Sequence, residues 1–120
     1  APQGSFTSNF VQTLDEVATH AAHIVERIRA EGFTSFDPRV DAEDAYCTAI
    51  VENSGRGQKY FANCTPGYYN KEGGIKPGKT LAGQYKGGNP AKFFAHLREL
   101  RDTGTALNDF DLVRAASSKL

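Results

Sequence analysis

A glycine-rich stretch of more than thirty residues is the feature that most limits how this chain of 120 residues can fold. Nine of the twelve glycines lie between residues 55 and 88, together with two of the five prolines. A loop of that length is unusual inside a compact domain, and long structured loops usually have a function. Regular elements are therefore expected on either side of it, and residues 63–74 are the first candidate for a functional region.

The segment before the loop predicts a long amphipathic helix. Either Asn9, with Gln12 three residues later, or Ser8 gives a helix-start signal, and Gly32 is a typical residue just past a helix end. The wide apolar stripe indicates that this helix packs against a large surface. Apolar residues recur every three or four positions, as expected of one helix face: Phe10, Leu14, Val17, Ala21, Ile24 and Ile28.

Shorter elements follow this helix. Residues 33–36 alternate as in a short strand, which Asp37 and Pro38 are expected to end. A second helix is predicted to begin with Asp41 as its N-cap, because Glu43 and Asp44 then lie in the first turn, where the helix dipole favours acids. This helix is expected to stop near residue 55.

The segment after the loop predicts a third helix and a last strand. Asn89 followed by Pro90 is a cap with proline at the first helical position, and Gly104 marks the end. Residues 110–113 suit a short strand. The apolar stripe of the helix comprises Phe93, Phe94, Leu97 and Leu100.

This set of elements predicts an α+β fragment with about three helices, short strand stubs and a long glycine-rich loop. Stub strands need pairing partners, because unpaired backbone groups are costly when buried. We expect those partners to lie on a polypeptide outside this chain. The alternative is a self-sufficient three-helix α+β domain.

Charge is balanced overall but unevenly distributed. Fourteen Lys and Arg offset fourteen Asp and Glu, yet residues 58–92 hold six lysines and one acid, Glu72. A local positive excess in a glycine-rich segment can attract phosphate or nucleic acid. The alternative is a solvated loop without a ligand.

Cysteine and histidine do not indicate a metal site. Cys47 and Cys64 allow one disulfide, although two reduced thiols of an intracellular protein are the favoured interpretation. His20, His23 and His96 lack the spacing of zinc ligands and are interpreted as structural. No apolar run approaches the about 20 residues that span a membrane, and no signal peptide is visible.

The loop resembles a known family. Cys64-Thr65-Pro66-Gly67-Tyr68-Tyr69-Asn70, followed by Glu72 and Gly73, is similar to a run in the C-terminal region of flavin-dependent Baeyer–Villiger-type monooxygenases. The opening residues 2–10 and the motifs Pro77-Gly78-Lys79 and Tyr85-Lys86-Gly87-Gly88 also match in order. The resemblance therefore covers most of the chain, and its most specific part is residues 64–73.

The resemblance implies a larger α/β flavoprotein with two dinucleotide-binding domains, one for FAD and one for NADPH. Such an enzyme inserts one oxygen atom from dioxygen into a ketone, giving an ester or lactone. This chain contains no G-x-G-x-x-G turn, so the FAD and NADPH domains would be missing partners in its N-terminal direction. Residues 1–114 would form its C-terminal portion, and alone they are not expected to hold FAD tightly or to turn over.

The resemblance also assigns site residues, none of them catalytic or metal-binding. A turn at a helix N-terminus would face the flavin, where backbone N–H groups stabilise an anionic ring. A mobile loop would close over nicotinamide and substrate, although the tryptophan that many members carry there is absent. The cofactor-binding residues would be Gly4, Ser5, Phe6, Thr7 and Lys79, and the substrate-lid residues would be Thr65, Pro66, Gly67, Tyr68, Tyr69 and Asn70.

The last residues predict a location. Ser118-Lys119-Leu120 is the peroxisomal import tripeptide when it forms the true C-terminus, and residues 115–120 would then be a flexible tail read by the import receptor. Without that signal the protein is expected to be cytoplasmic.

Two other functions stay open from the sequence. The Lys/Tyr/Gly-rich loop could serve a freestanding anion- or nucleic-acid-binding module, although nucleic acid is not the expected partner. The chain could also be a non-catalytic fragment kept for interaction.

Overall fold

The computed structural model describes residues 9–52 and 88–114. Within them the chain forms helix α1 (Phe10–Ala30), strand β1 (Phe33–Pro38), helix α2 (Val40–Glu52), helix α3 (Pro90–Asp102) and strand β2 (Phe110–Arg114). The α+β class predicted from the sequence is confirmed for this part of the chain. The predicted architecture of a larger two-domain flavoprotein is not tested by these residues.

Helix ends follow the predicted capping residues. The Asn9 side chain accepts a hydrogen bond from the Gln12 N–H, and Asn89 accepts one from the Lys92 N–H, both at 3.0 Å. Each cap satisfies one N–H group that the first turn leaves unpaired. Gly104, just past α3, has φ +71°, a left-handed conformation that glycine adopts without steric cost.

The start of α2 differs from the sequence prediction. The helix begins at Val40, so Asp41 lies in its first turn and is not the N-cap. The Asp41 carboxylate instead accepts hydrogen bonds from the Arg39 guanidinium at 2.8 and 2.9 Å. The Arg39 N–H donates to the Asp109 carbonyl, and its guanidinium donates to the Asn108 carbonyl. The junction of β1 and α2 is thereby fastened to the turn before β2.

The two strands pair with each other in an antiparallel ribbon. Phe36 lies opposite Leu112 and Pro38 opposite Phe110, and the register shifts between Phe33 and Ser35. The prediction that the partner strands lie on another polypeptide is therefore wrong. Strand β1 also continues through Asp37 and Pro38, the residues expected to end it, because Pro38 lies at the strand end, where a missing N–H is tolerated.

The main core lies between α1, the ribbon and the turn after α3. Aromatic rings of Phe36 and Phe110 meet edge to face at 5.5 Å, and the Arg114 guanidinium stacks over Phe33. A second buried cluster on α3 holds Phe93, Phe94 and Leu97. The buried residues of the main core are Ile24, Ile28, Ala106 and Leu107, against which Phe33, Leu100, Phe110 and Leu112 pack.

None of the described helices has the length and apolar character that crossing a membrane requires.

Candidate functional site

The residues assigned to cofactor, lid and targeting lie outside the described residues. Their predicted roles therefore stay predictions. They are Gly4, Ser5, Phe6 and Thr7 at the flavin turn, Lys79, the lid residues Thr65, Pro66, Gly67, Tyr68, Tyr69 and Asn70, and the tripeptide Ser118, Lys119 and Leu120.

The described residues line an open pocket of about 390 Å³ between the three helices and the end of the ribbon where Pro38 pairs with Phe110. Apolar pockets of this size with a few convergent polar groups are typical ligand sites. The polar groups here belong to His20, Glu43, Tyr46, His96, Thr105 and Asp109. The apolar part of the lining consists of Val17, Ile24, Pro38, Ala42, Phe93, Leu97, Leu100, Ala106 and Phe110.

A polar seam between α1 and α3 positions His20 beside this cavity. We use "polar seam" for Glu16, His20 and His23 on α1 with Arg98 and Arg101 on α3. Glu16 is buried and accepts hydrogen bonds from the Arg98 guanidinium and, at 3.4 Å, from the Arg101 guanidinium. These contacts join residues more than eighty positions apart and connect α1 to α3.

Ring nitrogens in the polar seam are buried and have no hydrogen-bond partner among residues 9–52 and 88–114. They are His20 Nδ1 and His23 Nε2, and Arg101 Nη1 is in the same condition. Unpaired buried polar atoms are uncommon and costly, and they mark places where a functional constraint or a bridging group is worth seeking. Arg101 Nη1 is a donor, whereas each neutral imidazole carries one donor and one acceptor nitrogen, so the seam holds both kinds of unsatisfied group.

The surroundings of the polar seam lower the pKa values of both His20 and Glu16. Burial lowers the pKa of His20, and its electrostatic interactions with Arg101, His23 and His96 lower it further, against a hydrogen bond with the Leu97 backbone that raises it. The hydrogen bond from Arg98 lowers the pKa of Glu16, against burial, which raises it. At neutral pH His20 is therefore uncharged and Glu16 is ionised.

The three histidines were interpreted from the sequence as structural. His20 and His96 line the cavity. His20 combines a lowered pKa with a buried ring nitrogen that has no partner in the described part of the chain, which makes it a candidate site residue that was not predicted from the sequence. The signal for finding it was weak, because His20 and His96 are far apart in sequence and share no motif. Residues 9–52 and 88–114 contain no cluster of His, Cys, Asp and Glu suited to a metal ion, and Cys47 on α2 is a free thiol.

Comparison with known proteins supplies the family. The chain is 36% identical over 100 residues to the Baeyer-Villiger monooxygenase of Streptomyces coelicolor, covering 83% of the chain and 16% of the relative. It is 32% identical over 106 residues to the Baeyer-Villiger monooxygenase peniC of Penicillium patulum, covering 85% of the chain and 17% of the relative. It is 30% identical over 96 residues to the Baeyer-Villiger monooxygenase ATR8 of Stachybotrys chlorohalonatus, covering 80% of the chain and 15% of the relative.

The chain thus spans about a sixth of the length of these curated relatives. No family model matches the chain, and no solved structure matches it significantly. Three relatives from a bacterium and two fungi nevertheless carry the same family name and match most of the chain, which confirms the resemblance read from residues 64–73. Over most of its length, this chain is homologous to a segment of the Baeyer–Villiger monooxygenases.

Proposed function

We propose that this chain is the C-terminal portion of an FAD- and NADPH-dependent monooxygenase that inserts one oxygen atom from dioxygen into a ketone, giving an ester or lactone. The observation that carries the proposal is the 30–36% identity to proteins named Baeyer-Villiger monooxygenases over 80–85% of the chain. When bound, the flavin would supply the oxygen chemistry, and the protein would position it and exclude water.

The described residues do not fit a dinucleotide. A dinucleotide site needs a strand that leads through a glycine-rich turn into a helix, whose N-terminus receives the diphosphate. Strand β1 leads into α2 through Arg39, without a glycine, and the Arg39 side chain is already paired with Asp41. FAD and NADPH would therefore be held mainly by residues other than 9–52 and 88–114.

The contribution of this chain to the site would come from the regions assigned by resemblance. Residues 4–7 would offer backbone N–H groups to the flavin, and residues 65–70 would close over nicotinamide and substrate, with Lys79 near a phosphate of NADPH. Helices α1 and α3, joined by the polar seam, would form the rigid support on which these two segments are mounted.

Characterisation of the natural polypeptide that contains these 120 residues tests the proposal. Its intact mass is expected to exceed the 13.0 kDa of this chain severalfold, and the purified protein is expected to carry yellow flavin. It should oxidise NADPH in the presence of a ketone and release an ester or lactone. A natural protein of 13.0 kDa, or one that binds no flavin, would contradict the proposal.

Where Ser118-Lys119-Leu120 forms the true C-terminus of the natural polypeptide, we propose a peroxisomal location for it. A fluorescent protein ending in residues 115–120 is expected to accumulate in peroxisomes, and the same fusion lacking Leu120 is expected to remain in the cytoplasm. Cytoplasmic fluorescence from both fusions would remove the localisation from the proposal without affecting the enzyme assignment.

A further inference from the structure

The pocket between the three helices has an apolar floor that belongs to the packed part of the fold. Phe93 and Leu97 lie on that floor and are buried, so its shape is set by side-chain packing. Another wall comes from the first half of α2, through Ala42, Glu43 and Tyr46. Because floor and wall belong to elements that are far apart in sequence, the pocket forms only when the chain folds.

Two acidic residues of the lining lie at the same end of the pocket, because the backbone of Arg39 joins them. The Arg39 N–H donates to the Asp109 carbonyl, and the Glu43 N–H donates to the Arg39 carbonyl, both at 2.9 Å. Arg39 directly precedes α2, so these bonds also fix the start of the α2 wall. A wall that is fixed before a ligand arrives lowers the ordering cost of binding.

The charged groups of the lining are acidic. Glu43 and Asp109 contribute carboxylates, and none of the described residues that line the pocket is a lysine or an arginine. The Arg39 guanidinium, which is close enough to Asp109 to interact with its charge, is already paired with Asp41 at 2.8 Å. Two carboxylates beside an apolar surface favour a ligand that carries a positive charge.

Aromatic rings and an uncharged histidine add to this preference. Tyr46, Phe93 and Phe110 line the pocket, and the faces of aromatic rings attract cations. The lowered pKa of His20 keeps its imidazole uncharged at neutral pH, so this residue adds no positive charge to the lining. The lining therefore combines an apolar floor, aromatic rings and two carboxylates at one end.

We propose that this pocket binds a small organic cation made of an apolar body and one ammonium group. The body packs against Leu97, Leu100 and Phe110, and the ammonium group lies at the end that holds Glu43 and Asp109. The volume of about 390 Å³ is in the range of sites for small molecules. The proposal goes beyond the proposed function and does not depend on flavin or nicotinamide, because described residues of this chain form the pocket.

Three probes that share a phenyl ring and differ in charge test the proposal: phenethylammonium, phenethyl alcohol and phenylacetate. Each is titrated into the nitrogen-labelled 120-residue chain at neutral pH and low salt, and backbone amide shifts are followed by NMR. Phenethylammonium is expected to bind with a Kd on the order of 1 mM and to shift the amides of Ala42, Tyr46 and Thr105. The alcohol is expected to bind about tenfold more weakly, and phenylacetate is expected not to bind. Equal affinities for the ammonium and the alcohol, or no binding of the ammonium, would overturn the proposal.

Two double variants separate the carboxylates of the pocket from the net charge of the chain. Glu43→Gln combined with Asp109→Asn removes both carboxylates from the lining. Asp15→Asn combined with Glu26→Gln removes the same charge from exposed positions of α1. The first double variant is expected to weaken the binding of phenethylammonium about tenfold, and the second is expected to change it by less than about twofold. Similar effects of the two double variants would overturn the proposal.

Filling the pocket tests the apolar part of the site. Ala42→Phe adds a ring to the lining from α2, whereas Ala45→Phe adds the same ring at an exposed position of α2 that is not part of the lining. Ala42→Phe is expected to weaken phenethylammonium and phenethyl alcohol alike by about tenfold, and Ala45→Phe is expected to change neither affinity. Circular dichroism checks that both variants keep their helices. Unchanged binding by the folded Ala42→Phe variant would overturn the proposal.

The natural polypeptide that contains this chain gives the last readout. Calorimetry is expected to show the same preference for phenethylammonium over the alcohol, and Glu43→Gln combined with Asp109→Asn is expected to remove that preference. This result does not depend on whether the polypeptide carries flavin, so the ligand and the enzyme assignment can fail separately. A preference seen in the 120-residue chain but absent from the natural polypeptide would show that other residues fill the pocket there and would overturn the proposal.

Discussion

Replacement of Glu16 by alanine tests whether the polar seam holds α1 against α3. Loss of one partner from a buried ion pair costs about 3–5 kcal/mol, and loss of an exposed pair costs about 0.2–1 kcal/mol. Glu16 is intermediate between these cases. Its side chain and that of Arg101 are 12% and 14% exposed, but Arg98 is 56% exposed and can turn into solvent. We therefore expect a loss of about 2 kcal/mol in the free energy of unfolding.

Urea denaturation of the 120-residue chain, followed by circular dichroism, measures this loss. With a slope of about 1–3 kcal/mol per M, a loss of about 2 kcal/mol is expected to lower the midpoint by roughly 0.7–2 M. Glu26→Ala, on the exposed side of the same helix, is the control and is expected to change the free energy by less than about 0.5 kcal/mol. Equal losses for the two variants would refute the reasoning, because helix propensity alone would then account for both.

A double substitution separates the lost attraction from the charge left behind. Most of the cost of Glu16→Ala is expected to come from Arg101, whose buried guanidinium would lose its carboxylate. Glu16→Leu combined with Arg101→Leu is therefore expected to be more stable than Glu16→Leu alone. A double variant that is less stable than either single variant would contradict this explanation.

Three further predictions concern pH, capping and backbone conformation. The pKa of His20 is lowered in the folded chain, so the unfolded chain binds more protons at this site. The contribution of His20 to the free energy of unfolding is therefore full above about pH 6.5 and is lost as the pH drops below it. His20→Gln should flatten this decline in urea titrations at several pH values. Asn89→Ala should cost about 1 kcal/mol by removing the cap on Lys92, and a loss below the error of urea denaturation would contradict it. Gly104→Ala should cost about 1 kcal/mol because φ is +71°, although the added Cβ meets only the Arg27 guanidinium at 3.8 Å; unchanged thermal unfolding would contradict the assigned conformation.

Local chemistry made helices α1 and α3 predictable from the sequence. Asn9 and Asn89 cap the starts of these helices, and a glycine follows each helix end. Each of these residues acts within a single turn, so the signal lies in neighbouring residues. The start of α2 was placed wrongly because aspartate serves both as an N-cap and as a first-turn acid. In the structure Asp41 is a first-turn residue paired with Arg39.

Long-range relations were not predictable in the same way. The pairing of β1 with β2 joins residues more than seventy positions apart, and the sequence of a five-residue strand does not indicate which strand it pairs with. Periodicity revealed the apolar stripe of α1 but not which side of the helix faces α3, so the inward position of Glu16 and His20 was missed. The family resemblance, in contrast, came from a specific run of residues and is confirmed by the curated relatives.

The origin of the oxygen atom in the product tests the central claim most directly. The natural polypeptide that contains this chain is incubated with FAD, NADPH and a ketone under isotopically heavy dioxygen, and the product is examined by mass spectrometry. The account predicts an ester or lactone with one heavy oxygen atom, formed only when NADPH is present. An unlabelled ester, or oxidation of NADPH without any oxygen insertion across a panel of ketones and heteroatom substrates, would contradict it.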